Sequence, residues 1–254
     1  MSVSIPAILP ADEVSEISGW TVHEYREVDS TNFVARALPA WYAARADTQT
    51  AGRGRFQRTW VSDGGGLWLS AVVPVAEKKE SFQVLPLVAG LAVVEALKSV
   101  GATGLRLRWP NDIMVGELKL AGLLLDTFDP RLAVIGLGIN VTNQPAVQDR
   151  SLRGTTTRLA DMISEPPGLT ALTAVVLEHL RRRVNELAAA GFAPLHSLIN
   201  VLWGGTPRVN VELDKCFRQG IFRGVDEQGR LLLSDANGYT TVFATHEVKL
   251  LREI

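Results

Sequence analysis

Between Ser81 and Val100 the chain repeats apolar residues at helical spacing. Leu85, Val88, Leu91, Val94 and Leu97 fall three apart, and Gly101 follows as a stop. A helix with such a stripe needs an apolar surface to cover, and the segments around it supply one. In LRLRW, Leu105, Leu107 and Trp109 alternate with Arg106 and Arg108, which predicts a half-buried strand halted by Pro110. ELKLAGLLLD and RLAVIGLGINV predict two more strands, and GGGLWLSAVVP predicts a glycine turn followed by a strand. YREVDSTN reads as a short strand ending at Asp29, Ser30 and Thr31, good N-caps for a helix over NFVARALPAWYA. After a threonine-rich loop, helices are predicted from Thr170 to Ala189 and from Ala193 to Trp203. Strands interleaved with helices give an α+β class: a mixed β-sheet packed with helices.

From TPRVNVELD onward the pattern changes to short strands separated by turn signals at Asp226 to Gly229 and Ala236 to Gly238. That spacing predicts a small C-terminal β-barrel, so the expected domains are 1–205 and 206–254. A chain of 254 residues has room for one large domain and one small one. The formal net charge of −1 argues against broad nucleic-acid or membrane binding. One cysteine, Cys216, excludes an intramolecular disulfide and fits a reducing compartment. There is no cationic start with an apolar run behind it, and no uninterrupted apolar run approaches the roughly 20 residues of a membrane helix. A cytoplasmic protein is expected.

Against that balanced charge, TAGRGRFQRTW at 50–60 stands out. Gly52 and Gly54 free the backbone to turn N–H groups toward one oxyanion, while Arg53, Arg55 and Arg58 supply planar forked donors for carboxylate or phosphate. Trp60 offers a flat face for a base. Such a segment is expected to stay open until an anion closes it, and by itself it reads as readily as a solvated turn. WPND, Trp109 to Asp112, is by itself a tight turn, or else it sets the Asn111 amide and the Asp112 carboxylate at a strand end, where a Mg²⁺-bound nucleotide is met by oxygen ligands. A lysine at the start of an apolar strand, such as Lys119, ordinarily snorkels to water. Turned inward, it would touch a carboxylate and a phosphate oxygen together. Gly122 and the GLGIN segment ending at Asn140 permit close approach of a ligand to the backbone, or mark a strand bulge.

Taken in order, QTAGRGRFQRTW, RWPNDI, KLAGLLLD and GLGINV, preceded by DSTN, resemble the biotin protein ligase family, biotin–[acetyl-CoA-carboxylase] synthetase. The resemblance runs from Glu27 to Val141. It implies a class II synthetase-like catalytic domain followed by an SH3-like barrel. It also implies an ATP-dependent activation of biotin to biotinyl-5′-AMP, followed by transfer to a lysine of a biotin carboxyl carrier protein domain. By the same resemblance Ser30, Thr31 and Gln49 would hydrogen-bond the ureido ring with Asn32 nearby, and Gly52 and Arg53 would close over biotin beside Gly122. Arg55 and Arg58 would face phosphate, and Trp60 would carry adenine. Lys119 would bridge the biotin carboxylate and the α-phosphate, so Lys119 and Arg55 are the expected catalytic pair. Trp109, Asn111, Asp112 and Asn140 would lie near nucleotide, with Asp112 the candidate Mg²⁺ ligand. Family members pair edge strands near GLGIN, which allows a homodimer.

Two positions depart from the family pattern. Gln57 stands where a glycine is usual, and a φ above zero there would strain the loop. Arg108 replaces a lysine before WPND, keeping charge but not geometry. Too few residues precede DSTN to form a helix-turn-helix, so no repressor role is expected. The rival readings are a lipoate or octanoate ligase of the same fold, a silent biotin-binding module, and nucleic-acid binding through RGRFQR. Octanoyl transfer needs a cysteine nucleophile, and Cys216 lies far in sequence from every motif.

Overall fold

The computed structural model describes residues 8–75, 79–148, 154–205 and 207–254, and two sheets organise them. The larger has eight strands: β1 (Glu13–Ile17), β2 (Trp20–Val28), β3 (Tyr42–Gln49), β4 (Gly66–Pro74), β5 (Leu105–Arg108), β6 (Asp112–Val115), β7 (Leu118–Thr127) and β8 (Leu132–Asn140). Their spatial order is β1-β2-β3-β4-β8-β7-β6-β5. β2 and β3 run parallel, and the other neighbours are antiparallel. The helices are α1 (Thr31–Ala35), α2 (Lys79–Ser99), α3 (Pro145–Gln148), α4 (Leu169–Ala190) and α5 (Ala193–Asn200).

The central strands are sorted by alternation. Leu67, Leu69, Ala71 and Val73 of β4 and Ala133, Ile135, Leu137 and Ile139 of β8 join the main core with α2 and α4. Val72 and Val134 turn to the opposite face, where they pack with Val34 and Ala35 of α1. On that second face β4 and β8 also present Ser70, Gly136 and Gly138, a strip with almost no side chains of its own. The fold thus leaves a floor open beside α1.

The smaller sheet contains β9 (Arg208–Glu212), β10 (Phe217–Val225), β11 (Leu231–Ser234), β12 (Thr240–Phe243) and β13 (Leu250–Glu253), antiparallel throughout in the order β12-β11-β10-β9-β13. It sits on the end of the larger sheet. Trp203, in the helical turn after α5, meets Phe222 edge to face with centroids 5.1 Å apart. Val209, Val211 and Leu231 belong to the same continuous core as α2.

Several expectations need correction. The helix expected over NFVARALPAWYA stops at Ala35, and Tyr42–Gln49 is strand β3. Its alanines favour helix locally, but the ladders to β2 and β4 claim the segment, with Ala43 buried in the main core and Ala44 and Ala46 buried on the other face. Strand β1 has no counterpart among the elements expected for the first twenty residues. Ser30 occupies the N-cap position of α1, yet its hydroxyl makes no cap bond. The GLGIN segment cannot serve as a free edge for a homodimer, because β8 is paired to β4 on one side and β7 on the other. It is also a regular ladder there, with no bulge. Phe82–Ser99 is long and apolar enough to cross a membrane by length and composition, but it is the core helix, 67% buried inside the fold.

Candidate active site

A cavity of about 960 Å³ opens over the glycine floor, walled by the turn before α1, the arginine segment, β6, β7, β8 and the edge of β13. Among the described residues nine cationic side chains line it against three carboxylates, in a chain of net charge −1. Such a local excess selects anions. Three regions can be told apart.

The first is a polar, neutral end. The Thr31 backbone N–H donates to Gln49 Oε1 at 2.8 Å and its hydroxyl to the same oxygen at 3.1 Å. Gln49 Nε2 donates to Ser62 Oγ at 2.8 Å, so both ends of the amide are fixed. This bond to Gln49 takes up the first amide of α1, which an N-cap hydroxyl does not serve. Ser30 lines the cavity with its hydroxyl making no cap bond to the helix. Ser70 Oγ lies 2.7 Å from both Thr31 Oγ1 and Asn32 Oδ1. The Asn32 Nδ2 donor is left buried without a partner. An orphan of that kind costs about 1–3 kcal/mol, which a ligand acceptor recovers.

The middle is the glycine floor. Trp60 lies on it so closely that a Cβ on Gly138 would come within 2.6 Å of the indole Cε2 and Nε1, and one on Gly122 within 3.0 Å of Cζ3. Gly122 and Gly138 are direct cross-strand partners, which makes the flat seat. The indole N–H is also buried without a partner. The Lys119 ammonium stands 4.8 Å from the centroid of the indole ring, a cation–π distance.

Beside it is the charged centre. Lys119 Nζ pairs with Asp112 Oδ1 at 2.6 Å, and Arg108 Nη2 with Asp112 Oδ2 at 2.7 Å. Burial by itself raises the Asp112 carboxyl, but the attraction of Lys119 and then of Arg108 outweighs it and holds the group below its ordinary value. Asn111 Nδ2 donates to Leu123 O at 2.6 Å, and Asn140 Nδ2 to Thr157 O at 3.0 Å. Both amides are thus oriented by backbone.

The arginine segment forms a hairpin closed by an Arg53–Thr59 bridge and a Gly54 N–H to Arg58 O bond of 2.7 Å, rather than an open loop. Phe56 and Gln57 sit at φ 55° and 58°, two successive non-glycine residues in the left-handed region. The family's usual glycine is therefore replaced at a position that favours glycine. Arg53 and Arg58 line the cavity as expected. Arg55 lines it too, but its Nη2 donates to Thr245 O at 2.8 Å and Val248 O at 3.0 Å in the connection between β12 and β13. Burial draws its pKa below the usual arginine value, partly offset by Asp112.

Other expected positions are revised. Gly52 does not line the cavity: its O accepts from the Trp60 N–H at 2.9 Å, and a Cβ there would lie 2.5 Å from Ser62 Oγ. It is a packing glycine of the hairpin base. Trp109 borders the cavity, but it is 2% exposed and its indole N–H donates to Gly229 O at 3.1 Å. Its ring is therefore committed to the smaller sheet. Asp112 does not fit a resident Mg²⁺, since both its oxygens are taken by cations. No group of three His, Cys, Asp or Glu side chains that could hold an ion occurs among the described residues. An ion carried on a nucleotide's phosphates would enter with that substrate. Cys216 lies between β9 and β10, outside the cavity wall.

Sequence reasoning misses Ser70, Thr155 and Thr156, of which the two threonines line the cavity wall directly. Ser70 is visible as the one polar residue in the run LWLSAVV, and the threonines as an otherwise unexplained cluster.

The model of the biotin/lipoate A/B protein ligase family matches residues 29–140. The bifunctional ligase/repressor of Bacillus subtilis is 30% identical over 246 residues, covering 91% of this chain and 74% of that protein. The biotin–[acetyl-CoA-carboxylase] ligase of Mycobacterium tuberculosis is 34% identical over 219 residues, covering 82% and 78%. The biotin protein ligase of Aquifex aeolicus in complex with biotin and ATP superposes with a TM-score of 0.82 at 28% identity, over 92% of this chain and 99% of that one.

Proposed function

The chain belongs to the biotin/lipoate A/B protein ligase family, and we propose from this premise that it is a biotin protein ligase, joining biotin to ATP and passing the biotinyl group to a carrier lysine. The observation that carries the reading is one cavity that joins a neutral hydrogen-bonding end to a strongly cationic end, with Lys119 between them. Biotin is such a molecule: a urea at one end and a carboxylate at the other.

In this reading Ser30, Asn32 and Gln49 receive the ureido ring, and Gly122 and Gly138 seat the Trp60 indole, beside which the thioether ring and its chain pass. The carboxylate oxygen attacks the α-phosphorus of ATP, the new acyl–phosphate bond forms, and the bond to pyrophosphate breaks. Two anions repel during that approach. Lys119 is held by Asp112 at the seam between them, and Arg53 and Arg58 add charge from the hairpin, so the stabilising cations are in place before reaction. In the second step the carrier amine attacks the acyl carbon and AMP departs. The hairpin over the site limits access of water to the mixed anhydride.

Residues 1–205 then act as the catalytic domain and 206–254 as a small domain that closes its nucleotide end. The partner is the biotin carboxyl carrier domain of a carboxylase, and the compartment is the cytoplasm. Cys216, away from the cavity, speaks against thioester transfer. Biotin-dependent ATP–pyrophosphate exchange tests the reading. It should appear with biotin and be abolished by Lys119→Ala in a protein whose circular dichroism is unchanged. Exchange with lipoate or octanoate alone would assign the chain to the other branch, and biotin binding without exchange would make it a silent binding module.

A further inference from the structure

Lys119 lies on the wrong face of its strand for a regular ladder. Along β7, Ala121 and Leu123 turn into the core under α2, while Gly122 and Leu124 face the cavity. A period of two would send Leu120 to the cavity and Lys119 to the core. The reverse is found: Leu120 is fully buried in the core beside Ala121, and Lys119 stands with Gly122 on the cavity side, its Nζ 3.1 Å from where a Gly122 Cβ would be. The cause is a slip in the β6–β7 ladder. Ile113 faces Ala121, but Met114 faces Lys119, so Leu120 is an extra residue on β7. Such a bulge rotates the strand beyond it by half a turn.

A bulge at the end of a strand needs something to hold it, because β8 ends at Asn140 and no longer pairs there. The threonine segment takes that place. The Lys119 N–H donates to Thr155 O at 2.9 Å, and the Thr157 N–H donates to Lys119 O at 3.0 Å, a parallel bridge centred on Thr156. Thr157 is itself tied down, its carbonyl accepting from Asn140 Nδ2 at 3.0 Å and its hydroxyl donating to Asp161 Oδ2 at 3.1 Å. Lys119 therefore has its backbone gripped by a segment remote in sequence while its ammonium is held by Asp112.

We propose that the Leu120 bulge and the Thr155–Thr157 brace are the positioning device for Lys119: the bulge takes Leu120 out of the ladder's count and so turns the lysine out of the core, and the brace fixes its height above the floor. This rests on the ligase reading for its kinetic consequence, though not for the geometry. Leu120 and Thr157 are positioning residues.

The test uses the full chain with Leu120 deleted, with Leu120→Ala, and with Thr157→Pro, which removes the N–H that grips Lys119. Three things are measured: folding by circular dichroism, labelling of Lys119 by a small amine reagent read by mass spectrometry, and the single-turnover rate of biotin adenylation. The last is independent of the folded fraction. Deletion of Leu120 puts Lys119 next to Ala121 in a regular ladder, at the cavity-facing position of the alternation, so the lysine should stay open to the reagent and the adenylation rate within about 10-fold of the parent. Thr157→Pro should lower it by roughly 10-fold to 100-fold with little change in biotin affinity. Leu120→Ala keeps the register and should stay within about 3-fold of the parent, at a temperature where both are folded. The proposal is overturned if the deletion protects Lys119 from the reagent, if Thr157→Pro adenylates within that 3-fold, or if Leu120→Ala falls as far as Thr157→Pro. It is also overturned if the deletion and Thr157→Pro both fail to fold, since the register would then serve folding. A parent without exchange activity would instead defeat the ligase reading, leaving the labelling pattern to decide the geometry.

Discussion

Removing the carboxylate of Asp112 should weaken the fold as well as the chemistry, by an amount the geometry bounds. Its two oxygens hold Lys119 at 2.6 Å and Arg108 at 2.7 Å, and the three side chains are 16, 24 and 22% exposed. Exposed pairs contribute about 0–1 kcal/mol, whereas breaking a buried one costs about 3–5 kcal/mol. At this partial exposure, with two cations stranded together, Asp112→Asn should cost about 2–3 kcal/mol. For a chain of this size that is a fall in Tm of roughly 4–12 °C. The pH dependence gives a sharper check. The folded-state pKa of Asp112 is depressed, so its contribution is complete above the unfolded value near 3.8 and is lost as pH falls through the lower folded value. Thermal melts of parent and variant should therefore differ fully at neutral pH and converge in acid. A gap that is the same at pH 7 and in acid, or a change in Tm below about 2 °C at pH 7, would show that the charge of Asp112 does not stabilise this site.

Gly138→Ala sets a methyl 2.6 Å from the Trp60 ring and should lift it from the sheet, costing about 1–3 kcal/mol and raising the KM for nucleotide; an unchanged Tm and KM would mean that the indole is not seated there. Arg55→Ala removes a charged donor from the Thr245 and Val248 carbonyls, so it should lower stability by about 1–3 kcal/mol as well as impair adenylation, and a variant with full thermal stability would show the bond to be idle. Gln57→Gly relieves one left-handed residue, by about 1 kcal/mol before the entropy of the freer chain is counted. Bound intermediate should then leave more slowly, measured by its dissociation rate, and an unaltered rate counts against strain.

The motifs are legible because each is short and carried by local chemistry. Gln49, Arg53, Arg58, Lys119 and Asn140, spread over nearly a hundred residues of sequence, do meet in one cavity. What is illegible is commitment. Trp109 and Arg55 have the right chemistry for a nucleotide, yet the smaller sheet claims the indole N–H of one and the guanidinium of the other. Only docking of that sheet decides this, and nothing local to WPND or GRGR encodes it.

By itself, the order of residues determined the helix over Lys79–Ser99, the strands on either side of it and the set of cations, since periodicity and side-chain chemistry are properties of neighbours along the chain. Tertiary structure alone decided that β3 is a strand despite its alanines, that Gly52 packs against Ser62 and Trp60, and that Lys119 enters the cavity at all. The last is the clearest case. A strand's alternation sends Lys119 into the core, and one extra residue, admitted where β6 slips and the threonine segment takes over the ladder, reverses it. Register is fixed between strands, and so it cannot be read from one of them.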